Sequence, residues 1–429
     1  MIKDMQRYFF RIVILFVFLS CDRYPDPSYK ILERYSFRFE NQSGQKYFAG
    51  ETFKDTIKYR VTHQVPTDND PVKVVFKIVS GGGTLSADSV YTDNKGIAAT
   101  NWKLGSESFE QVIRASSYDP SGKYLTSTDF TAFAFRKDAW DTYSSSSDGS
   151  ITGMVTDTIH GITLMVTNSH LYRQGSRYYI WEEIVHPNLV SPRTIDIDRN
   201  GIVYVGTWKG EVVKSADQGK TWSYCTKPYP DNPYYLFMYV SNDNYIWVSK
   251  FDYPTVFSRD GGNTWITAGS ALNSTNIGDV FRLKNGSILF CTSACCFILR
   301  SNDDGSTWTR IETPAHSNKL FVNEKDEIFV CGQENGVFIY MSTDMGATFR
   351  SLYGVSVSFR TTMDNVFNKW KGIYYIQIPG YGILKSTDLI HYEEYFPNNN
   401  LDNLFIDHNG VLIAKKWNSA TVYYRQNTH

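Results

Sequence analysis

Three aspartates, Asp279, Asp364 and Asp402, occupy the positions most compatible with catalysis. They come from an alignment of repeated glycine-containing turns, in which one residue per repeat falls eight positions before the turn. The aligned residues are Gly153, Arg193, Leu236, Gly278, Lys319, Asp364 and Asp402, with Asp279 one position further along. Two carboxylates that converge near an axis can serve as acid and base in the cleavage of a glycosidic bond. A mixed ring of Arg, Lys and Asp is also typical of a neutral, water-filled channel mouth, so both interpretations stay open.

A second group of candidates is aromatic and lies in the predicted loops between the second and third strands of the repeats. Flat rings stack on sugar faces and anchor protein interfaces. Several rings on one face are costly to leave in water unless a ligand covers them. The alternative is that each ring packs on a neighbouring repeat. Together with Arg193 and Lys319, the predicted ligand-binding residues are Trp208 with Lys209, Phe251, Tyr253, Tyr381, and Trp417 with Lys416, and the link between the second and third repeats adds Tyr229, Tyr234 and Tyr235.

The pattern S-x-D-x-G-x-T-W positions these loops, because it recurs about every 43 residues. Copies begin at Ser215, Ser258, Ser301 and Ser342, and a decayed copy begins at Ser386. The aspartate can accept N–H bonds within a turn, the glycine takes a positive φ, and the aromatic residue opens the next strand. We therefore predict a structural role, not a catalytic one, for the four aspartates of the intact copies, Asp217, Asp260, Asp303 and Asp344.

This pattern resembles the Asp box, or BNR repeat. The resemblance implies an all-β fold, a β-propeller in which each repeat forms a four-stranded blade, with the boxes on the face opposite the binding face. Full units start near residues 151, 190, 231, 274, 316 and 356, and a three-stranded unit starts near 398. The segment from Trp140 to Tyr143 resembles the strand that follows each box, so we expect it to complete the last unit. This gives a seven-bladed propeller over residues 137–429.

Residues 1–20 have the features of an export signal. Basic residues precede the apolar run 12–19, which is too short to span a bilayer and ends at Ser20-Cys21. The segment resembles the signal peptide of bacterial lipoproteins, although Phe18 stands where that family usually has leucine. The resemblance implies lipidation of Cys21 and a tether over residues 21–34, so that the chain meets a membrane through its lipid only. A plain signal peptide is the alternative.

Residues 35–136 alternate between apolar and polar side chains, which is typical of a small β-sandwich. The stretches 75–85, 92–96, 102–105 and 111–115 resemble the bacterial Ig-like domains of invasin-type surface proteins. The resemblance implies a rigid spacer or adhesive module and supplies no site residues.

Composition and residue spacing argue against several classes of ligand. With 43 Lys and Arg against 44 Asp and Glu, nothing favours binding to nucleic acid. The histidines show no ligand spacing and no phosphate-binding loop is present, so we predict neither a metal nor a cofactor. Besides Cys21, an odd number of cysteines remains, and either one disulfide near Cys291 or buried free thiols are compatible with them. They are Cys225, Cys291, Cys295, Cys296 and Cys331.

Asp-box propellers include sialidases, xyloglucan-cleaving glycosidases, sortilin-type receptors and photosystem assembly factors, so the repeat does not choose a function. The strings at Arg193 and Arg360 do not match the arginine triad and the Phe-Arg-Ile-Pro start of sialidases. We expect a non-enzymatic, surface-facing lipoprotein of the outer membrane, a monomer or a subunit of an envelope complex, that binds a glycan or a partner protein. The alternatives are a glycosidase or lyase that uses the channel-mouth carboxylates, and a scaffold subunit of an outer-membrane complex.

Overall fold

A computed structural model describes residues 35–64, 70–107, 109–136, 140–144, 151–168, 170–175, 181–231, 237–250, 252–272, 277–292, 295–333, 336–356, 366–378, 381–397, 401, 403–415 and 421–426. The chain divides into two compact units, Met1–Lys137 and Asp138–His429. Cys21 and the predicted tether lie outside the described residues. Within the described ranges, helical structure is limited to the 3-10 turn Ser270–Leu272, and no helix has the length and apolarity to cross a membrane.

Ten strands build the first unit. One main sheet has the strand order β1-β3-β7, the other has the order β2-β10-β9-β4-β6, and β5 pairs with β8. Buried side chains of both main sheets pack together, Tyr59 with Phe76 and Ile57 with Phe130. The period-two alternation of this region follows, because each sheet turns one face toward the shared core. The strands are β1 (Tyr35–Phe39), β2 (Gln45–Phe48), β3 (Ile57–His63), β4 (Lys73–Ser80), β5 (Gly83–Leu85), β6 (Ser89–Tyr91), β7 (Ile97–Thr100), β8 (Trp102–Leu104), β9 (Phe109–Tyr118) and β10 (Tyr124–Phe135).

The second unit consists of short antiparallel strands. They are β11 (Asp141–Ser144), β12 (Ile151–Asp157), β13 (Ile162–Thr167), β14 (Leu171–Gln174), β15 (Trp181–Glu183), β16 (Pro192–Ile197), β17 (Val203–Thr207), β18 (Val212–Ser215), β19 (Ser223–Tyr224), β20 (Phe237–Val240), β21 (Ile246–Ser249), β22 (Val256–Ser258), β23 (Ile266–Thr267), β24 (Ile277–Arg282), β25 (Ile288–Thr292), β26 (Cys295–Ser301), β27 (Thr309–Val322), β28 (Ile328–Gln333), β29 (Val337–Ser342), β30 (Arg350–Val355), β31 (Phe367–Trp370), β32 (Ile373–Ile378), β33 (Gly382–Ser386), β34 (Glu393–Pro397), β35 (Asn403–Ile406), β36 (Val411–Lys415) and β37 (Thr421–Gln426).

These strands form five four-stranded sheets and one seven-stranded sheet. Four of the smaller sheets follow chain order, namely β12 to β15, β16 to β19, β20 to β23 and β31 to β34, and the fifth has the order β11-β37-β36-β35. In the seven-stranded sheet, β24 to β30, the early residues of β27 pair with β26 and its late residues with β28. The second strand of a sheet is buried along its whole length, as in β17 and β25, because neighbouring sheets cover both of its faces. Continuous runs of buried residues, such as Val203–Thr207, therefore replace the alternation of buried and exposed residues in these strands.

The innermost strands close a ring, and they are β12, β16, β20, β24, β27, β31 and β35. Contacts link β12 to β16, β16 to β20, β20 to β24, β24 to β27, and β31 to β35, and β35 contacts β12. Phe321 of β27 stacks on Phe367 of β31 at a centroid distance of 5.5 Å. The expectation that the segment at Trp140 to Tyr143 completes the last unit is confirmed by β11, which pairs antiparallel with β37 from Asp141 to Ser144. The ends of the second unit thus meet in one sheet and leave fewer free edges.

Candidate functional site

Two kinds of connection lie at opposite ends of the third strand of each sheet. In the sheet of β16 to β19, the loop with Trp208 and Lys209 precedes β18, and the turn with Asp217 follows it. Because β18 is extended, the loop and the turn lie at opposite ends of the sheet. Tyr253 and Tyr381 occupy the equivalent loops of later sheets. We call the end with these loops the loop face and the end with the aspartate turns the turn face.

The turn at Asp260 illustrates how the turn face is built. Ser258 Oγ donates to Asp260 Oδ1 (2.8 Å) and accepts the N–H of Gly262 (2.8 Å). The carboxylate then accepts the N–H and the hydroxyl of Thr264, at 2.9 and 2.7 Å. The same bonds recur in the turns at Asp217, Asp303 and Asp344. Bonds from the threonine hydroxyl and N–H lower the pKa of each of these four carboxyls to about 2. Each carboxylate is engaged within its own turn, which supports the predicted structural role.

The decayed fifth copy keeps a similar turn that is one residue shorter and uses different residues. Leu389 takes the left-handed conformation at φ 60°, and its N–H donates to Ser386 Oγ at 2.8 Å. His391 replaces the threonine, and its Nδ1 lies 2.7 Å from Asp388 Oδ2. The serine and the aspartate, not the glycine or the threonine, are thus the hydrogen-bonding residues of the motif that this turn retains.

Asp279, the described member of the three predicted catalytic carboxylates, lies on β24 and binds the neighbouring inner strand. Its Oδ2 accepts the N–H of Leu320 at 2.9 Å, and its Oδ1 lies 3.4 Å from Lys319 Nζ. The side chains of Lys319 and Asp279 are only 16% and 12% exposed. Asp364 and Asp402 lie outside the described residues, as does Leu236. The structure therefore brings two predicted site residues together as a largely buried ion pair.

Asp196, which no motif in the sequence marks, lies close enough to Asp279 and Lys319 to interact with their charges. It lies on β16 and its Oδ2 accepts the N–H of Val240 on β20 at 2.7 Å. Burial, reinforced by the negative charge of Asp279, raises the pKa of Asp196 to about 7. The one feature of the sequence that could have indicated Asp196 is the presence of a single acidic residue between Ile195 and Ile197 on an inner strand.

This raised pKa predicts a pH-dependent stability. An unfolded aspartate has a pKa near 3.9, so the folded state binds the extra proton between about pH 4 and pH 7, and stability falls as pH rises through that window. Asp196→Asn imitates the protonated acid. Asp196 is partly exposed, so solvent screens part of the effect. We expect the free energy of unfolding of the variant to exceed that of the native chain by about 1–2 kcal/mol at pH 8 and by little at pH 5. Urea denaturation at both pH values measures this, with the exposed Asp231→Asn as the control. An equal effect of Asp196→Asn at the two pH values would contradict the assignment.

Trp208 is a fixed and exposed ring on the loop face. The residue is 44% exposed. The indole N–H donates to Asn168 O (3.3 Å), the backbone N–H donates to Ser191 O, and the guanidinium of Arg193 lies over the ring at 5.2 Å. Arg193 Nη1 also donates to Asn168 Oδ1 at 2.7 Å. Trp208, Arg193 and Asn168 thus form what we call the Trp208 platform, next to the exposed Lys209. Arg193 was predicted, and Asn168 was missed.

Tyr253 lines a small cleft formed with the linker that precedes β20. Its ring lies 5.5 Å from the ring of Tyr229 in an edge-on arrangement, and Lys250 Nζ lies 4.8 Å from its centroid. Burial lowers the pKa of Lys250. The cleft has a volume of about 210 Å³ and is lined by Pro228, Tyr229, Pro230, Asp231, Tyr253, Pro254, Val256 and Thr267. We call it the Tyr253 cleft. Its prolines belong to no recognisable motif in the sequence.

Tyr381 belongs to a separate cluster. Its hydroxyl accepts a bond from Tyr353 (3.0 Å) and donates to Glu394. The bond to Glu394 is the main cause that raises the pKa of Tyr381, so the phenol stays neutral. Phe251, Tyr234, Tyr235, Lys416 and Trp417 lie outside the described residues. Of the predicted aromatic set, the structure therefore describes three members of the loops, Trp208, Tyr253 and Tyr381.

The described cysteines are buried. Cys225 and Cys331 are buried free thiols, and Cys291 is 0% exposed. Burial raises the pKa of Cys225 to about 11 and that of Cys331 to about 12, so neither forms a thiolate near neutral pH. The side chains of Cys295 and Cys296 lie outside the described residues. Within the described part of the chain, no group of three or more His, Cys, Asp or Glu side chains could hold a metal ion.

Comparisons with known proteins identify the fold. No known protein family and no curated protein matches the chain. Virginiamycin B lyase from Staphylococcus aureus aligns at 13% identity and a TM-score of 0.50 over 67% of this chain and 98% of its own. A structure of YCF48 bound to D1 peptide aligns at 12% identity and a TM-score of 0.50 over 69% and 99%. The extracellular domain of a hybrid two component system from B. thetaiotaomicron aligns at 10% identity and a TM-score of 0.52 over 91% of this chain and 60% of its own. At these identities the likeness establishes the fold alone, a β-propeller.

Proposed function

We propose that this chain is an exported lipoprotein, anchored through Cys21, whose propeller recognises a glycan on its loop face. In this proposal the anchor lies in the outer membrane and the propeller faces the cell surface. The first unit is an Ig-like spacer, an interpretation supported by the core shared between its two main sheets. The propeller has seven blades built on Asp-box repeats. Five four-stranded sheets, together with a seven-stranded sheet in which β27 serves two blades, support this number.

The Trp208 platform is the observation that carries the proposal. An exposed indole offers a flat apolar surface on which the C–H face of a sugar ring can stack. The bond from the indole N–H to Asn168 O orients the ring before any ligand arrives, and the bond from the backbone N–H to Ser191 O holds the loop. Arg193 supports the ring through a cation–π contact. Such preorganisation reduces the side-chain entropy that binding would otherwise cost. Exposed Lys209 adds a hydrogen-bond donor beside the ring.

The arrangement at Asp279 argues against proposing a reaction. A glycosidase needs one carboxyl group free to act as an acid and a second as base or nucleophile. Both oxygens of Asp279 have partners, the N–H of Leu320 and the ammonium of Lys319. Among the similar structures, one is a lyase by name and another holds a peptide, so a common fold leaves enzymes and binding proteins equally open.

Binding to a glycan array is the test of this function. Trp208→Ala should weaken binding by about 10-fold or more, equivalent to roughly 1.4 kcal/mol, and Trp208→Phe should retain part of the affinity. Tyr224→Ala removes another exposed aromatic side chain, one on the outer strand β19, and should leave binding unchanged. A glycan ligand whose affinity is the same for the native chain and Trp208→Ala would contradict the proposal, and so would the absence of any glycan ligand.

A further inference from the structure

The Tyr253 cleft is a second feature of the loop face, built differently from the Trp208 platform. It forms where the linker after β19 meets the loop between β21 and β22, and its volume is about 210 Å³. Pockets for drug-sized ligands span about 300–1,000 Å³, so this cleft has room for one side chain or one small ring. We propose that it binds an extended, proline-containing peptide segment with a neighbouring Lys or Arg.

Rigid walls suit the cleft to such a segment. Pro228, Pro230 and Pro254 have fixed φ angles, so the backbone around the opening loses little freedom on binding. The hydroxyl of Tyr229 donates its proton to the carbonyl oxygen of Pro254 (2.7 Å) and lies 3.1 Å from the alternative acceptor, the carbonyl oxygen of Val248, which ties the linker to the next sheet. A preformed apolar slot favours ligands that are themselves preorganised, as a polyproline II segment is.

The ring geometry distinguishes a peptide from a sugar here. Stacking on a sugar requires an open ring face. Tyr229 is only 8% exposed, and the ring of Tyr253 is flanked by Tyr229 on one side and by Lys250 Nζ at 4.8 Å. The cleft is lined by these two tyrosines together with Pro228, Pro230 and Pro254. Grooves lined by aromatic residues accept proline side chains in polyproline recognition.

Charge at the opening selects the neighbouring residue of the ligand. Asp231 lines the cleft and is exposed, and no hydrogen bond or ion pair to it occurs among the described residues. The nearby Lys227 is already paired with Glu211 at 3.5 Å. The free negative charge at the rim therefore comes from Asp231, which complements a cationic side chain next to the bound proline.

Fluorescence anisotropy with labelled peptides tests the proposal on the full chain. The probes are three octapeptides with a Pro-Pro pair and one Arg placed before, within or after it, and three matched peptides with Glu in place of Arg. At least one Arg peptide should bind with a Kd of about 10–100 μM, and its Glu counterpart at least 10-fold more weakly. Tyr253→Ala should reduce the affinity at least 10-fold, and Asp231→Asn about 3-fold to 5-fold.

The charge-reversal variant Asp231→Lys keeps the proposal testable if Tyr253→Ala does not fold, because Asp231 is exposed. It should invert the preference so that a Glu peptide binds better than its Arg counterpart. Trp208→Ala should leave peptide binding unchanged, which separates this site from the proposed glycan site. Failure of every Arg peptide to bind at 1 mM would overturn the inference. Binding that is unaffected by both Asp231 variants, or that is lost in Trp208→Ala, would overturn it equally.

Discussion

Replacing Gly262 by alanine should lower the free energy of unfolding by about 2–5 kcal/mol. Gly262 has a φ of +84°, a left-handed conformation that costs an alanine roughly 1–2 kcal/mol. An added Cβ would lie 2.4 Å from the Sγ of Cys225 and 2.7 Å from its Cβ. Cys225 is buried in the core formed with the preceding sheet, where close packing leaves little room to move. Overpacking of this kind adds about 1–3 kcal/mol.

The matched control for this prediction is Gly286→Ala. Gly286 has a similar φ of +89°, but an added Cβ there has no atom within 4 Å. The Gly286→Ala variant should therefore lose free energy of unfolding through backbone strain alone, by roughly 1–2 kcal/mol. Urea denaturation of both variants beside the native chain measures the difference. Equal losses would show that the contact between the turn face of one sheet and Cys225 of its neighbour does not restrict the position.

Tyr424→Ala should be about as damaging, with an expected loss of about 3–5 kcal/mol. Tyr424 is 0% exposed and lies on β37, the strand that pairs with both β11 and β36. Its hydroxyl accepts the indole N–H of Trp181, on β15 of the first four-stranded sheet, at 2.7 Å. One side chain thus fills the core of the closing sheet and bonds to the sheet beside it. Its removal leaves a cavity and an indole N–H without its partner.

Two control variants divide this effect into its parts. Tyr424→Phe keeps the ring and loses the bond to Trp181, so it should cost about 1–2 kcal/mol. Tyr224→Ala removes a tyrosine that is 50% exposed on an outer strand, and it should cost less than about 1 kcal/mol. Denaturation followed by tryptophan fluorescence reports all three. A loss for Tyr424→Ala no larger than that for Tyr224→Ala would contradict a role in ring closure.

The closing strand illustrates what a repeat allows one to predict at long range. The segment from Trp140 to Tyr143 resembles the strand that follows each acidic turn, and this resemblance predicts the pairing of β11 with the final strand β37. Such pairing is predictable because a ring of equal sheets has one open position when its last unit lacks an outer strand. The sequence contains no such signal for β27, the single strand that joins two neighbouring repeats by pairing with both β26 and β28.

The candidate site was predictable only in part. The loop position of Trp208 followed from the repeat, and Arg193 followed from the aligned turns. Their contact did not, because Asn168, which holds both, comes from a different sheet. Asp279 and Lys319 were both placed near the channel mouth, but not as the ion pair that the structure describes.

The sequence by itself determined the turn chemistry, since each acidic turn depends on bonds that span four residues, as from Asp260 to Thr264. It also determined the order of the strands, because buried middle strands and exposed turns alternate along the chain. Only the tertiary structure decided which loops meet, as Pro228 and Pro254 do at the Tyr253 cleft, and how the pKa of Asp196 is raised. Those properties depend on how one sheet is rotated and packed against the next, and local residue spacing does not encode that relation.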